Sequence, residues 1–333
     1  MMVIGMRRTA AVSLAPLALA AVQACGQNAA VDVIAADGAL CDITRRLAAS
    51  SLKVECLMGP SDDPHQLQLS PAQTRQINQA KLLLINGYGL TPALDKLSRA
   101  VKVAEIAVPN SPNLNDGGHG DKHSQAEHEH DHNHEGDDEA AHLHGDQDPH
   151  VWHDPRQAAA MVKLVSQKLE QLDPQAAPQI QARSQAMQRS LNALDRWNRQ
   201  QFSTIPAPRV LASGHRAFAS LARAYQLKEL PVIDATSTSE ALRPKALANV
   251  VAALRNQGVR SLFAEQTPAS KALLRISSLS GVPLANQPLR ADSAGDNLMA
   301  TLTTNTCLIV DALGGRCNQA SGSALVASWN AIR

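Results

Sequence analysis

Histidine is the residue type best placed to do chemistry in this chain. Of its twelve histidines, eight (His119, His123, His128, His130, His132, His134, His142 and His144) fall within residues 117–148, GGHGDKHSQAEHEHDHNHEGDDEAAHLHGDQD. At neutral pH an imidazole of ordinary pKa, about 6.5, is mostly uncharged and offers a ring nitrogen to zinc, copper or nickel. The interleaved Asp and Glu add oxygen donors and favour any cation. The tract has nothing apolar to bury, so it cannot build a core of its own. It reads as an auxiliary, low-affinity metal loop, against the plainer reading of a solvated linker whose histidines are incidental.

The other four histidines, His65, His150, His153 and His215, lie in sequence that reads as ordered. His65 follows Asp63-Pro64, His150 follows Asp148-Pro149, and His215 follows Ser213-Gly214. Such loop-forming pairs can set a side chain's direction where the chain leaves a sheet. Three imidazoles from separate loops suit a tetrahedral zinc site, with nitrogens at about 2.0–2.1 Å and room for one more ligand. Three His and an open position also describe catalytic zinc, so a zinc-dependent hydrolase is the rival reading. Against it, none of His65, His150 and His215 belongs to an HExxH signature. A third reading is an extracytoplasmic metal buffer that works through the tract alone.

The elements that must position these histidines alternate. Segments 31–36, 52–58 and 81–87 read as strands, with helices over 41–50, 71–79 and 92–99 and an apolar segment at 101–108. Residues 59–71 carry Gly and three prolines and read as a loop. After the tract, helices are expected over 155–172 and 174–202, the second about 40 Å long at ~1.5 Å per residue. Alternation then resumes with strands 209–213, 231–234, 261–265 and 282–285 and helices 217–225, 244–256, 268–279 and 296–313. The fold class is therefore α/β, with two lobes, each a parallel sheet flanked by helices, joined by a long backbone helix. The expected division is a signal peptide over 1–25, an N-terminal lobe over 29–110, the His-rich acidic loop over 111–147, the end of the N-terminal lobe over 148–172, the linking helix over 173–204, and a C-terminal lobe over 205–333. Ligands of open parallel sheets sit beyond the carboxyl ends of strands, which is where His65 and His215 fall.

Bulk properties narrow the partners. A net charge of +1 and an aromatic content of 2% offer neither the basic patch nor the stacking platforms that nucleic acid needs. Arg7 and Arg8 followed by the apolar run Ala10–Ala24 read as an export signal, too short to span a bilayer. Val22-Gln23-Ala24-Cys25-Gly26 resembles a lipoprotein processing site, which would leave Cys25 lipidated; ordinary cleavage nearby is the alternative. Either way the mature chain is expected to be periplasmic or at the cell surface. In that oxidising setting Cys41, Cys56, Cys307 and Cys317 allow three pairings. The local pairs Cys41–Cys56 and Cys307–Cys317 are the simplest, and no CxxC spacing supports a cysteine zinc site.

Read in order, PSDDPHQLQLSP (60–71), INGYGLTPALDKL (85–97), DPHVWHDP (148–155), VLASGHRAFASLARAY (210–225), FAEQTPAS (263–270) and RADS (290–293) resemble the motifs of cluster A-I solute-binding proteins, the ZnuA/TroA-like family. The resemblance covers nearly the whole mature chain. It implies a TroA-like, chelatase-like fold and a non-catalytic, monomeric receptor that delivers Zn2+ to the permease of an ABC importer, with zinc as cargo. It makes His65, His150 and His215 the metal ligands, with Asp292 or water completing the site. It also makes Glu265 an outer hydrogen-bond acceptor for an imidazole N–H. Two residues depart from the family pattern. His153 stands where an apolar residue is usual, and is expected at the surface or assisting metal entry; Thr91 replaces a common acidic residue at the lobe interface.

Overall fold

In the first half, short segments pair side by side around two apolar ones, 33–35 and 82–85, that are buried on both faces. The computed structural model describes Met1 and residues 31–60, 62–114, 147–233 and 244–332. The export segment with Cys25, the eight tract histidines and Asp234 lie outside the described residues. Residues Val31–Arg333 form one contact unit.

The chain runs β1 (Val33–Ala35), α1 (Gly38–Ala48), β2 (Val54–Cys56), α2 (Pro71–Gln79), β3 (Leu82–Ile85), α3 (Pro92–Asp95), β4 (Val101–Lys102) and α4 (Val103–Ala107). It continues with α5 (Pro155–Leu172), α6 (Ala177–Ser203), β5 (Val210–Ser213), α7 (Ala219–Tyr225), β6 (Lys228–Pro231), α8 (Pro244–Asn256), β7 (Leu262–Phe263), α9 (Lys271–Ser280), α10 (Leu298–Ala312) and α11 (Gln319–Asn330). The first sheet has the order β2-β1-β3-β4 and the second β6-β5-β7, every pair parallel. Parallel neighbours require crossovers, and the helices between successive strands supply them while covering the sheet faces. The chain is thus α/β with two helix-flanked parallel sheets. Cys41 is bonded to Cys56 and Cys307 to Cys317, the first pair pinning α1 to the end of β2.

The long helix α6 ties the halves together through its buried stripe. Ile180, Met187, Leu191, Leu194 and Trp197 belong to the core of the first half, whereas Phe202, at its last turn, packs with Leu211, Phe218 and Tyr225 of the second. The chain also doubles back, because Leu298, Met299, Leu302 and Trp329 of α10 and α11 enter the first core. Trp329 is fully buried and donates from its indole nitrogen to Asp42 Oδ2, 2.8 Å away. Asp42 Oδ2 also accepts from Leu298 N at 2.9 Å, so one buried carboxylate seats both C-terminal helices.

Several elements differ from the sequence reading. The strand expected at 231–234 lies at Lys228–Pro231, since Pro231 has no N–H to continue a ladder. Val232 and Ile233 donate instead to Ser213 and Gly214 carbonyls. Residues 282–285 form only a bridge, Leu262↔Leu284, because Pro283 can accept from Leu262 but cannot donate. Residues 101–108 turn into helix after two strand residues; Val103 and Ala104 are buried and Ile106 is exposed, a spacing that strand alternation forbids. Helix α11 was not anticipated: its Ala, Ser and Gly residues carry little apolar signal, and its buried positions are Gly322 and Trp329.

Asp37 caps α1, its Oδ1 accepting from Leu40 N at 2.9 Å, while Oδ2 is buried without a partner among the described residues. Burial, only partly offset by backbone hydrogen bonds, pushes its pKa up from 3.8 to about 6. A raised carboxyl pKa means the folded chain holds its proton longer than the unfolded chain, so this residue's contribution to stability falls as pH rises from about 4 through 6. Asp37→Asn preserves the cap and removes the charge. We expect its chemical-denaturation stability to exceed that of the unaltered protein at pH 7 and to match it near pH 4; a constant difference across that range would show that Asp37 does not titrate as described.

Candidate metal centre

Four side chains from four loops meet at a single carboxylate oxygen. Asp292 Oδ1 lies 2.9 Å from His65 Nε2, 3.0 Å from His150 Nε2 and 3.1 Å from His215 Nε2. The imidazole centroids are 5.4–5.7 Å apart, and one donor atom from each of the four residues lies within 4.8 Å of the others.

Each loop is fixed by its own local chemistry. After β2 the chain turns through Pro64–Gln66, where Asp63 Oδ1 accepts from His65 N at 2.9 Å. The same Asp-Pro-His tripeptide recurs at 148–150, and Asp148 Oδ1 accepts from His150 N, also at 2.9 Å. Asn86, just past β3, donates to the Pro149 carbonyl at 2.6 Å and ties that loop to the first sheet. His215 leaves β5 directly, its N donating to Glu265 Oε1 at 3.2 Å. A Cβ at Gly214 would stand 2.9 Å from Glu265 Oε2, so only glycine lets this carboxylate approach.

The carboxylates behind the rings decide which way the imidazoles present their lone pairs. Glu265 Oε2 is 2.6 Å from His215 Nδ1 and Asp148 Oδ1 is 3.2 Å from His150 Nδ1. A proton held at Nδ1 by each carboxylate leaves Nε2 as the inward lone pair, the form that binds a cation. Asp148 is shared across the halves, because its Oδ2 accepts from Ser220 N at 2.8 Å and from Ser220 Oγ at 2.6 Å, at the start of α7.

Burial opposes charge throughout this cluster, and the cluster's own charges overcome it. For Asp292 burial favours the acid, but the His215 charge and hydrogen bonds from His150, His215 and His65 hold it well below the usual carboxylate range. His215 is likewise disfavoured by burial, yet Asp292 and Glu265 hold its imidazole well above the ordinary value. His150 is raised too, by hydrogen bonds to Asp148 and Asp292 that outweigh burial. Asp292 keeps 20% side-chain exposure, toward a groove of about 860 Å³ bordered by Pro60, Asp62, Asp63 and Ser293. The arrangement can hold one cation on three nitrogens and an oxygen, with access from that side.

The structure thus brings together His65, His150, His215 and Asp292, with Glu265 against His215. Sequence reading gave Asp148 and Ser220 no role, although the doubled Asp-Pro-His tripeptide is a usable signal. The expectation for His153 was wrong. It is fully buried, with its ring 4.8 Å from that of Phe218 and Nε2 2.8 Å from the Ala291 carbonyl. Burial drives its pKa down from 6.5 to about 4, so it is neutral and Nε2 donates. Thr91 is buried at the start of α3, and its hydroxyl has no hydrogen-bond partner among the described residues.

The model of the family described as zinc-uptake complex component A, periplasmic (ZnuA), matches residues 33–312. Metal-binding protein YtgA of Chlamydia trachomatis is 26% identical over 299 residues, covering 85% of this chain and 86% of YtgA. The manganese ABC transporter substrate-binding lipoprotein PsaA of Streptococcus pneumoniae is 23% identical over 254 residues, 76% of this chain and 77% of PsaA. Among solved structures, the periplasmic zinc-binding protein TroA of Treponema pallidum superposes with a TM-score of 0.69 at 24% identity, covering 84% of this chain and 98% of that one, a likeness of fold.

A buried neutral His153 should not titrate near neutrality. In an NMR titration its ring C–H resonances are expected to stay flat between pH 5 and 8; a midpoint near 6.5 would mean that the ring is solvated.

Proposed function

The chain belongs to the ZnuA family of periplasmic zinc-uptake components, and from that premise we propose that it is an extracytoplasmic receptor that captures Zn2+ and presents it to the membrane permease of an ABC importer. Members of this family are substrate-binding proteins of ABC transporters, not enzymes, which removes the hydrolase reading. The relatives differ in the metal they are named for, zinc in one and manganese in another, so the choice of cargo rests on this chain's own donors.

The observation that carries zinc is the donor set, three imidazole nitrogens facing one point with a single carboxylate oxygen among them. Manganese and magnesium favour oxygen-rich, octahedral sites, whereas zinc accepts imidazole readily at four-coordination. We assign His65, His150, His215 and Asp292 as ligands, and Glu265 and Asp148 as the acceptors that orient His215 and His150. The tract histidines gather metal at low affinity, and Cys25 is the site of a lipid anchor if the lipoprotein signal is used. The receptor acts as a monomer, with lobes bounded as read from the sequence except that α10 and α11, read with the C-terminal lobe, pack into the first core. Because α6 and the returning C-terminal helices brace the halves, metal binding orders loops more than it closes a wide hinge.

Removal of residues 117–146, which leaves Gln147 paired to Asn113, should abolish weak binding and leave one tight zinc site per chain by titration. Manganese should bind that site far more weakly. Loss of all tight binding would place the site in the tract instead.

Within that shortened background, chelator competition separates ligands from their supports. His215→Ala is expected to weaken zinc the most, Glu265→Gln by about 10- to 100-fold, and Asp292→Ala by an intermediate amount. If Glu265→Gln were worse than His215→Ala, the site would have to be rebuilt around the carboxylate.

A further inference from the structure

Burying a histidine with one nitrogen unpartnered is costly, so its other nitrogen must have a use. Among the described residues His153 Nδ1 has no hydrogen-bond partner, and Nε2 makes a single bond, to the carbonyl of Ala291. A buried polar atom left unpaired costs free energy that an apolar replacement of the same shape avoids. Leucine would fill the same space between Trp152 and Phe218, whose rings lie 5.4 and 4.8 Å from the imidazole, without that cost.

The loop that His153 touches carries Asp292. Its ends are held by ordinary means. Leu289 N donates to the Ala264 carbonyl at 2.8 Å, and the Asn305 amide clasps the backbone of Arg290 at 3.0 and 2.8 Å. On the other side Ser293 Oγ donates to the Pro60 carbonyl at 2.6 Å, and Thr301 holds Ala294. Between Arg290 and Ser293, among the described residues, the hydrogen bonds are those of the Asp292 carboxylate itself and the one from His153. His153 sits three residues beyond His150, on the same short turn, so this bond fixes the peptide preceding Asp292 relative to a histidine already in the cluster.

We propose that His153 is a positioning residue that makes Asp292, rather than water, the fourth ligand: its Nε2–H holds the Ala291 carbonyl and so keeps the Asp292 carboxylate aimed at the three imidazoles. The inference rests on the zinc reading above. His153 touches no cargo; it acts by limiting where the 290–293 backbone can go, so that the carboxylate needs little reordering when metal arrives.

The test uses the full chain carrying one equivalent of zinc, with competition against a strong chelator, for the unaltered protein, His153→Leu, His153→Gln, Asp292→Ala and the His153→Leu/Asp292→Ala double variant. His153→Leu is expected to bind zinc about 10-fold more weakly, while its metal-free melting temperature is equal to or above that of the unaltered protein. Glutamine, whose terminal amide can replace the Nε2 donor, should restore most of the affinity. In the Asp292→Ala background the leucine substitution should add nothing, since the group it positions is gone. Unchanged affinity in His153→Leu, or a full 10-fold loss on top of Asp292→Ala, overturns the proposal. Should leucine fail to fold, His153→Asn, whose shorter amide does not reach Ala291, takes its place with the same expectations for zinc affinity. The zinc reading fails differently: the unaltered protein would hold no tight zinc, or His215→Ala would leave it intact.

Discussion

Three imidazole nitrogens can share one carboxylate oxygen at 2.9–3.1 Å only while the loops that carry them keep a fixed separation, and those loops hang from two different sheets. A site of this kind tolerates errors of only about half an ångström before its donors cease to point at a common centre. Much of the rest of the fold can be understood as meeting that tolerance. Helix α6 threads both cores, so neither half can rotate without opening one of them. The Asn198 side chain, on the same helix, bonds to Tyr225 of the second half at 3.1 Å and to Thr306 of α10 at 3.0 Å, which adds a polar clasp to the apolar one.

Finer control comes from buried carboxylates that each serve two masters. Asp148 turns one oxygen to His150 and the other to the first residues of α7, so a ligand attached near the first sheet takes its orientation partly from the second. Glu265 holds both the backbone and the ring of His215, and its approach depends on the missing side chain of Gly214. Isolated, such buried acids would be a liability. Here their cost is offset because every one of these oxygens meets an N–H or O–H donor, and because the excess negative charge prepares the cluster for a cation.

The sequence disclosed the ligand-bearing loops better than it disclosed the elements. Asp-Pro-His and Ser-Gly-His mark places where a chain leaves a strand with a defined direction, a local matter that residues within two or three positions decide. The alternation of strands and helices was legible for the same reason, as buried runs such as 82–85 have no polar face. What escaped were features decided by distant partners. Strand β6 begins at Lys228 because β5 pairs with 228–231, and nothing near 228 announces that register. Helix α11 has one large buried side chain, and its closest fit, Gly322 against the Trp197 ring, depends on a residue far away in sequence. His153 looked like a polar residue after a turn. Only the folded chain places the Ala291 carbonyl over it, which converts an expected surface histidine into an interior one.

The return of α10 and α11 into the first core has a consequence for how this molecule comes into being. A chain made from its amino end exposes both Asp-Pro-His loops early, but the hydrophobic interior beneath them stays open until Leu298, Met299, Leu302 and Trp329 arrive. Asp292 precedes that closing segment by only a few residues. Completion of the interior and completion of the cation pocket are therefore nearly the same event. An unfinished chain that ends before Leu298 would carry all three histidines yet lack the scaffold that makes them a trap, so its cation pocket would stay unassembled.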